Sequence, residues 1–214
     1  MDILIGTKVL EEVVSSINGK VRVIKSLGLG TYIQVEGLTQ SGGVVYEVWK
    51  STLKKLKNSK ILKLKNGLVL GLGGGSAAKL VRKYWPQAKI TGVDIDPVMV
   101  EMGKKYMGLE EQGIEIVIMD AEKFLSNNEV RGTKYDLILV DLYVGYEVPE
   151  KFLSENYIQL VRTVLASGGI AIFNRLYYGE KRPEAMRFAA KLEAVFPKVK
   201  YFHPEANVMF LCYN

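Results

Sequence analysis

Residues 68–76 read LVLGLGGGS, and this short stretch decides the fold class of the 214-residue chain. Three apolar residues typical of a buried strand run directly into four glycines within five positions, and Ser76 then opens a helix-like segment. Glycines at such a turn let the backbone approach a ligand closely, and the start of the helix offers free N–H groups. The stretch predicts a ligand-binding turn of an α/β fold. A plain tight connection is the alternative, although four glycines exceed what a turn requires.

Strand-like and helix-like segments alternate through the rest of the chain. The predicted strands are 67–72, 89–94, 114–119, 135–141 and 168–174, and the predicted helices lie near 76–84, 97–106, 121–126, 155–166 and 182–195. Continuous apolar strands such as 137–140 are typical of a parallel sheet covered on both faces. Segments 199–202 and 208–211 are joined by a loop too short for a crossover helix, so we expect an antiparallel hairpin. The pattern predicts a Rossmann-like fold with a seven-stranded, mostly parallel sheet and an antiparallel C-terminal hairpin.

The first part of the chain has a different pattern. Predicted strands at 9–15, 21–24 and 31–35, the first two joined by the hairpin signal Asn18-Gly19, indicate a small β-meander. Apolar residues spaced three or four apart predict a helix over 44–56. We therefore divide the chain into 1–57, the meander with its connecting helix, and 58–214, the α/β domain. A linker is predicted over 57–66.

The net charge of +6 is unevenly distributed along the chain. Residues 1–65 hold 11 basic and 5 acidic residues, whereas residues 66–214 hold 18 of each. We interpret this excess of lysines as the solvent-exposed face of a helix and the loop that follows it. The alternative is a positively charged surface that binds nucleic acid or another anion. The lysines in question are Lys50, Lys54, Lys55, Lys57, Lys60, Lys63 and Lys65.

The composition points to a soluble cytoplasmic protein. No stretch reaches the roughly 18 consecutive apolar residues that cross a bilayer, and the first thirty residues lack the pattern of a signal peptide. Cys212 is the single cysteine, which excludes an internal disulfide. It lies in an apolar run, which favours a buried thiol. The single histidine, His203, has no candidate metal partners near it, so we predict no metal site.

Acidic residues follow the predicted strands, where ligands bind in an open parallel sheet. Asp94 ends the second strand of the α/β domain, nineteen residues beyond Gly75, and a carboxylate there can accept both hydrogen bonds of a ribose diol. The run 71–76 lacks the third glycine of a dinucleotide fingerprint, which disfavours NAD. Asp96, followed by a proline, is interpreted as a helix cap.

Two further aspartates end the third and fourth strands of this domain. Asp120 could contact an adenine amino group or cap the following helix. Asp141 would face the reacting end of a bound cofactor, where a carboxylate can accept a proton from a nucleophile, and it is the predicted catalytic residue. Residues that could shape an acceptor pocket nearby are Tyr143, Tyr146, Glu147, Asn174, Arg175 and Tyr177.

In this order the motifs resemble the spermidine synthase family, within the wider class of S-adenosylmethionine-dependent methyltransferases. The resemblance covers almost the whole chain, from 36–41 through the glycine run, 93–96, 119–121, 135–141 and 152–157 to 196–212. It implies a cofactor of the S-adenosylmethionine type, intact or decarboxylated, held by Gln40, Gly71, Gly73, Gly74, Gly75, Asp94, Ile95, Asp120 and Ala121. It also implies an acceptor side that includes Tyr46, Tyr143 and Glu147.

Two departures from that family bear on the reaction. The family's glycine motif continues with an aspartate that holds the amine of the decarboxylated cofactor, and this chain has Ser76 there. The family's second aspartate after the fourth strand is Val144 here. We therefore expect a methyltransferase acting on an undetermined acceptor, a small molecule or a polymer, with an amine among the candidates. A divergent polyamine aminopropyltransferase using Glu147 is the first alternative, and a non-catalytic nucleoside- or RNA-binding protein is the second. A homodimer is also expected from the resemblance.

Overall fold

The computed structural model describes residues 6–58 and 64–214. Of the linker predicted over 57–66, residues 59–63 lie outside the described residues, and so do Lys60 and Lys63 of the lysine-rich segment. The described part of the chain forms two β-sheets, with helices that pack mainly on the faces of the larger one.

The first sheet is antiparallel, with its strands in chain order. The predicted Asn18-Gly19 hairpin is present, since Ser15 pairs with Gly19. The fourth strand was not predicted, because its sequence LTQSG lacks the apolar alternation of a strand. It forms by pairing with the third strand across an irregularity at Ile33 and Gln34. The strands are β1 (Thr7–Ser15), β2 (Gly19–Ser26), β3 (Gly30–Val35) and β4 (Leu38–Gly42).

The second sheet has seven strands, in the order β10-β11-β9-β8-β5-β6-β7. Strands β5 to β9 run parallel, whereas β11 is antiparallel to both β9 and β10, as predicted for the C-terminal hairpin. The predicted fold class is therefore confirmed. The strands are β5 (Asn66–Leu70), β6 (Lys89–Asp94), β7 (Glu115–Ile118), β8 (Tyr135–Val140), β9 (Leu165–Leu176), β10 (Lys198–Phe202) and β11 (Asn207–Tyr213).

The strand order reverses between β5 and β8, which lie side by side although two strands separate them in the chain. A crevice at such a reversal, outside the carboxyl ends of the strands, is where open α/β sheets bind their ligands. The helices that connect and cover the strands are α1 (Gly43–Asn58), α2 (Ser76–Tyr84), α3 (Pro97–Met107), α4 (Ala121–Ser126), α5 (Asn128–Arg131), α6 (Glu155–Val164) and α7 (Lys181–Val195).

The core of the large sheet has two faces, set by the alternation of side chains along each strand. Leu68 and Leu70 pack with α4, α6 and α7 on one face, and Val69 packs with α1 and α2 on the other. Helix α1 therefore shares the core of the large sheet through Trp49 and Leu53, both fully buried. The division of the chain after residue 57 stays a prediction.

The small sheet is attached to the large one through helix α3. Met99, Met102 and Met107 of α3 pack against β2 and β3 in a separate apolar cluster. The hairpin tip between β1 and β2 is also fixed to the start of α3, because Ser15 Oγ and Asn18 Nδ2 both donate to Asp96 Oδ2. Asp96 caps α3 as predicted, its other oxygen accepting the N–H of Val98 at 2.9 Å.

The apolar segments, the single cysteine and the lysines of α1 can each be described in the structure. Among the described residues, no helix combines the length and apolarity needed to span a membrane. Cys212 is fully buried, as predicted, and burial raises the pKa of its thiol. On α1, the ammonium groups of Lys55 and Lys57 lie over the rings of Phe202 and Trp85, at 4.4 and 5.5 Å from the ring centroids.

Candidate functional site

A cavity of about 400 Å³ opens at the carboxyl ends of the strands, at the reversal between β5 and β8. Its wall combines the glycine turn after β5 with Asp94 at the end of β6, Asp120 in the turn after β7 and Asp141 directly after β8. Helix α1, the β1–β2 hairpin tip and β4 cover the cavity from the small-sheet side. The volume lies within the ~300–1,000 Å³ of typical small-molecule sites.

The glycine turn performs two separate tasks. Gly71 and Gly73 line the cavity, and a Cβ on Gly71 would lie 2.1 Å from the backbone oxygen of Asp141. Gly74 and Gly75 were predicted to contact the cofactor, yet they lie behind the wall. A Cβ on Gly74 would meet Met107 at 2.6 Å, and one on Gly75 would meet Leu109 at 2.5 Å. Their small size is needed because α3 and the residues after it pack closely against the turn.

Asp94 lines the cavity at the end of β6. Its Oδ2 accepts the N–H of Gly73 at 2.6 Å and its Oδ1 accepts the N–H of Asp96 at 2.9 Å. Burial raises the pKa of Asp94, and these two backbone donors oppose that rise. The bonds hold the carboxylate against the glycine turn, and each oxygen keeps a lone pair for a ligand hydroxyl. The neighbouring Ile95 also lines the cavity, with 44% of its surface exposed.

Asp120 caps the helix that follows β7 and also lies at the cavity wall. It caps α4 by accepting the N–H groups of Glu122 and Lys123, and it lines the cavity together with Ala121. Its Oδ2 is also paired with the ammonium of Lys151, a cavity residue that sequence reasoning missed. Burial alone would raise the pKa of Asp120, but Lys151 and the two backbone donors outweigh it and hold that pKa below its usual value.

Ser76 is buried at the first position of α2 and lines the cavity. Its hydroxyl accepts the N–H of Gly42 at 2.6 Å and lies 2.9 Å from the hydroxyl of Ser41. The two serines therefore join α2 to β4. Because the first turn of α2 carries no acidic residue, this part of the cavity wall combines neutral hydroxyls with the positive end of the helix dipole.

Asp141 lies directly after β8, and its carboxylate is held from two sides. Trp49 Nε1 on α1 donates to Oδ2 at 2.7 Å, and Asn174 Nδ2 on β9 donates to Oδ1 at 2.8 Å. Asn174 is itself oriented by Asn207, whose Nδ2 donates to Asn174 Oδ1 at 2.8 Å. Burial raises the pKa of Asp141, while the Trp49 and Asn174 donors and the charge of Arg175 act in the opposite direction. The carboxylate is thus fixed in orientation beside the cavity.

Apolar and aromatic side chains form a large part of the cavity wall. Tyr143, predicted on the acceptor side, lines the cavity, and its hydroxyl accepts the N–H of Leu176 at 2.9 Å. Burial raises the pKa of that tyrosine to about 12. The other apolar or aromatic side chains of the wall include Val45, Val48, Trp49, Val144, Leu176 and Tyr178.

Two residues assigned to the acceptor side lie outside the cavity wall. Tyr46 is on the other side of α1, where it lines a separate depression with Lys79 and Tyr106. Glu147 turns away because its carboxylate is bonded to Lys181 Nζ at 2.7 Å, and 71% of its side chain is exposed. The position of Tyr46 depends on the rotation of α1 about its axis, and the position of Glu147 depends on the conformation of the loop after β8. The sequence motifs specify neither.

The small sheet adds residues that the strand-end motifs do not include. Gln40, predicted to bind the cofactor, lines the cavity, and its Nε2 donates to the backbone oxygen of Gly145 at 2.9 Å. Ile17 and Asn18, at the hairpin tip, also line it and were not predicted as site residues. No group of three or more potential metal-ligating side chains occurs within residues 6–58 and 64–214.

Comparison with known proteins gives a consistent family match. A family profile described as "Spermine/spermidine synthase domain" matches residues 46–205. An eEF1A lysine and N-terminal methyltransferase homolog from Drosophila melanogaster is 30% identical over 154 residues, covering 68% of this chain and 22% of that protein. A polyamine aminopropyltransferase from Vibrio vulnificus (strain CMCP6) is 28% identical over 108 residues, covering 50% of this chain and 36% of that protein. The chain thus spans between 22% and 36% of the length of these two relatives.

Solved structures give the same result at the level of the fold. Human methyltransferase-like protein 13, determined in complex with SAH, is similar with a TM-score of 0.67 and 25% sequence identity. The match covers 78% of this chain and 82% of that one. Similar proteins therefore include methyltransferases and aminopropyltransferases, two kinds of transferase.

Proposed function

This chain belongs to the spermine/spermidine synthase family, and we propose that within it the chain is a methyltransferase that uses intact S-adenosylmethionine. The observation that carries the proposal is Ser76 at the start of α2, where the resemblance places an aspartate in aminopropyltransferases.

The cavity residues fit an adenosyl cofactor. Asp94 presents a carboxylate held by backbone donors, which suits the two hydroxyls of a ribose. Asp120 and Ala121 follow the neighbouring strand, where they would contact the adenine. Gly71 and Gly73 have no side chains, so the backbone between Asp94 and Asp141 is accessible to the cofactor. When bound, the cofactor supplies a methyl group on a positively charged sulfur.

The start of α2 favours the intact cofactor over its decarboxylated form. Intact S-adenosylmethionine carries a carboxylate that the decarboxylated form lacks. The N-terminus of a helix attracts an anion through its free N–H groups and its dipole, and α2 presents nine helical residues with no acid in the first turn. An aspartate at position 76 would repel the carboxylate. The Ser76 hydroxyl, bonded to Gly42 and Ser41, adds no charge.

The acceptor side also departs from the aminopropyltransferase pattern. That alternative requires an acid to replace the aspartate lost at Val144, and Glu147 was the candidate. Glu147 is bonded to Lys181 and does not line the cavity. A diamine would therefore lack a counter-charge for its second ammonium, which makes aminopropyl transfer the less supported reaction.

Within this proposal the chain itself has three tasks. The cavity orients the acceptor at near-attack distance, which lowers the entropic cost of the displacement. Asp141 accepts or directs the proton that the nucleophile loses. Trp49 and Asn174 keep that carboxylate in place. A homodimer and a cytoplasmic location remain predictions.

The two reactions release different nucleosides, which gives a direct test. The protein is incubated with either intact or decarboxylated S-adenosylmethionine and a set of amines, and the products are identified by mass spectrometry. We expect S-adenosylhomocysteine from the intact cofactor and no methylthioadenosine from the decarboxylated one. Efficient aminopropyl transfer to 1,4-diaminobutane would contradict the proposal.

A further inference from the structure

Lys151 is the one basic side chain among the described residues that line the cavity, and the function proposed above gives it no role. Its ammonium is paired with Asp120 Oδ2. The side chain of Lys151 is 45% exposed, whereas that of Asp120 is 8% exposed. An ammonium has three N–H donors, so a bond to one carboxylate oxygen uses one of the three. Two donors therefore remain for a molecule in the cavity.

The position of Lys151 is fixed by the residue that follows it. Both residues belong to a short 3₁₀ turn, Glu150–Leu153, between β8 and α6. Phe152 is buried, lines the cavity, and packs edge-to-face on the fully buried ring of Tyr157, with 4.9 Å between the ring centroids. The ammonium of Lys151 lies 4.8 Å from the centroid of the Phe152 ring. The ammonium thus has two anchors at the cavity wall, a carboxylate and an aromatic ring.

The two oxygens of Asp120 differ in what they can still accept. Oδ1 accepts the N–H groups of Glu122 and Lys123, each at 3.1 Å, which uses both of its lone pairs. Oδ2 accepts the ammonium of Lys151 and keeps one lone pair. A ligand at this part of the wall therefore meets an acceptor, Asp120 Oδ2, and a charged donor, Lys151 Nζ, side by side.

Adenine presents the complementary pair of groups. Its exocyclic amine donates, and the ring nitrogens N1 and N7, one on each side of that amine, accept. Amide side chains recognise adenine in DNA in the same manner, by pairing one acceptor and one donor with the amine and N7. A hydrogen bond from an ionised donor is roughly twice as strong as one between neutral groups. The pair formed by Asp120 and Lys151 therefore suits the edge of an adenine.

Resting on the adenosyl cofactor of the function proposed above, we infer that Lys151 is a further cofactor-binding residue that determines specificity for the base. Its ammonium donates to N1 or N7 of the adenine, and Asp120 accepts from the exocyclic amine. Asp120 keeps its ion pair with Lys151 when the cofactor binds, because the two contacts use different donors of the ammonium. The contact involves the base alone, so it is the same for intact and decarboxylated S-adenosylmethionine.

The test is a double-mutant cycle between protein and ligand. S-Adenosylhomocysteine and its 1-deaza and 7-deaza analogues, in which carbon replaces N1 or N7, are titrated by calorimetry into the wild type and into Lys151→Met. We expect the wild type to bind one analogue about tenfold or more weakly than the parent compound, as for the loss of a hydrogen bond to a charged group. Lys151→Met should bind that analogue and the parent compound about equally. The analogue concerned identifies the ring nitrogen.

The choice of variants separates the ammonium from other effects. Methionine keeps an unbranched stem beside Phe152 and lacks the charge. Lys151→Ala also lacks the ammonium and should give the same result. Lys123→Met is the matched control for a lost charge near Asp120, because Lys123 is exposed on α4 and does not line the cavity. It should discriminate between the three ligands as the wild type does.

Each remaining outcome has a defined meaning. Equal binding of the three ligands by the wild type would overturn the inference without any variant. If Lys151→Met weakens all three ligands by the same factor, Lys151 acts only by holding Asp120, and the contact with the base is disproved. In both cases S-adenosylhomocysteine still binds, so the cofactor assignment stands. If the wild type binds none of the three ligands, the proposed function itself fails.

Discussion

At the level of single residues, Asp141 is subject to two opposing effects. Its burial disfavours the ionised carboxylate, and the N–H donors of Trp49 and Asn174 favour it. Because the two donors bind different oxygens, they also fix the plane of the carboxylate. A base in a fixed orientation beside a cofactor site is what proton removal from a bound nucleophile requires.

Replacing Asp141 by asparagine tests its role as a base. We expect Asp141→Asn to lower kcat for methyl transfer by about 10²–10⁴, the range for loss of a general base. Affinity for S-adenosylmethionine, measured by titration calorimetry, should change little. Asp136→Asn is the matched control, because Asp136 lies at the opposite end of β8 and binds the backbone of Lys65 and Asn66. Near wild-type turnover by Asp141→Asn would exclude the assigned role.

The pH dependence of turnover is a second test at this scale. Burial raises the pKa of Asp141 above its ordinary value of 3.8. The ionised base is present above that raised pKa and is lost as the pH falls through it, so kcat should fall on the acidic side at a pH above the ordinary aspartate range. The measurement is kcat against pH with both substrates saturating. An acidic limb that persists in Asp141→Asn would have to come from another group.

Residues at strand ends could be predicted, whereas residues placed by distant packing could not. Asp94, Asp120 and Asp141 follow apolar runs whose ends the sequence marks, and all three line one cavity. Trp49 was recognisable as a buried helix position, but its bond to Asp141 depends on how α1 packs against the large sheet. Glu147, predicted on the acceptor side, lies outside the cavity wall, and its ion pair with Lys181 joins residues 34 positions apart, which the sequence does not indicate.

At the level of secondary structure, Asp96 connects three elements. Its side chain caps α3, and it also accepts hydrogen bonds from Ser15 and Asn18 of the β1–β2 hairpin. Its backbone N–H donates to Asp94, the residue proposed to bind the ribose. Because the hairpin tip also lines the cavity, Asp96 contributes to the link between the position of the small sheet and the shape of the cavity.

Replacing Asp96 by alanine should therefore affect both stability and cofactor use. Loss of the cap and of two side-chain bonds predicts a decrease of roughly 2–4 kcal/mol in the free energy of unfolding, measured by chemical denaturation. KM for S-adenosylmethionine should rise because the hairpin tip is released. Ser154→Ala, which removes the cap of α6 and a bond to the backbone oxygen of Lys151, should cost about 1 kcal/mol and leave KM unchanged. Equal effects of the two variants would show that the hairpin contacts contribute nothing.

Most elements of the large sheet could be predicted because strands such as β5 and β8 are largely apolar runs and strand-like and helix-like segments alternate along the chain. Helix α2 begins and ends at the predicted residues, and α3 differs by one residue at its end. Strand β4 could not be predicted, since its five residues are mostly polar or glycine and gain their conformation from pairing with β3. A short strand that forms mainly by pairing with a neighbouring strand has only a weak hydrophobic pattern in its own sequence.

At the level of the whole molecule, two sheets form one site. The large sheet supplies the carboxylates at its strand ends, and the small sheet with α1 supplies Gln40, Trp49 and the hairpin tip. The strand order reverses between β5 and β8, and this reversal opens a crevice at the carboxyl ends of the strands. Residues that are far apart in the sequence therefore meet there. Binding of an intact adenosyl donor in this crevice is the central claim about the molecule.

The most direct measurement is a parallel calorimetric titration of the protein with intact and with decarboxylated S-adenosylmethionine. We predict that the intact form binds about tenfold tighter or more, because its carboxylate gains charge-assisted hydrogen bonds at the start of α2. Ser76→Asp should reverse the order, and Ser76→Ala should preserve it, which separates added charge from the lost hydroxyl. Tighter binding of the decarboxylated form by the wild-type protein would contradict the account.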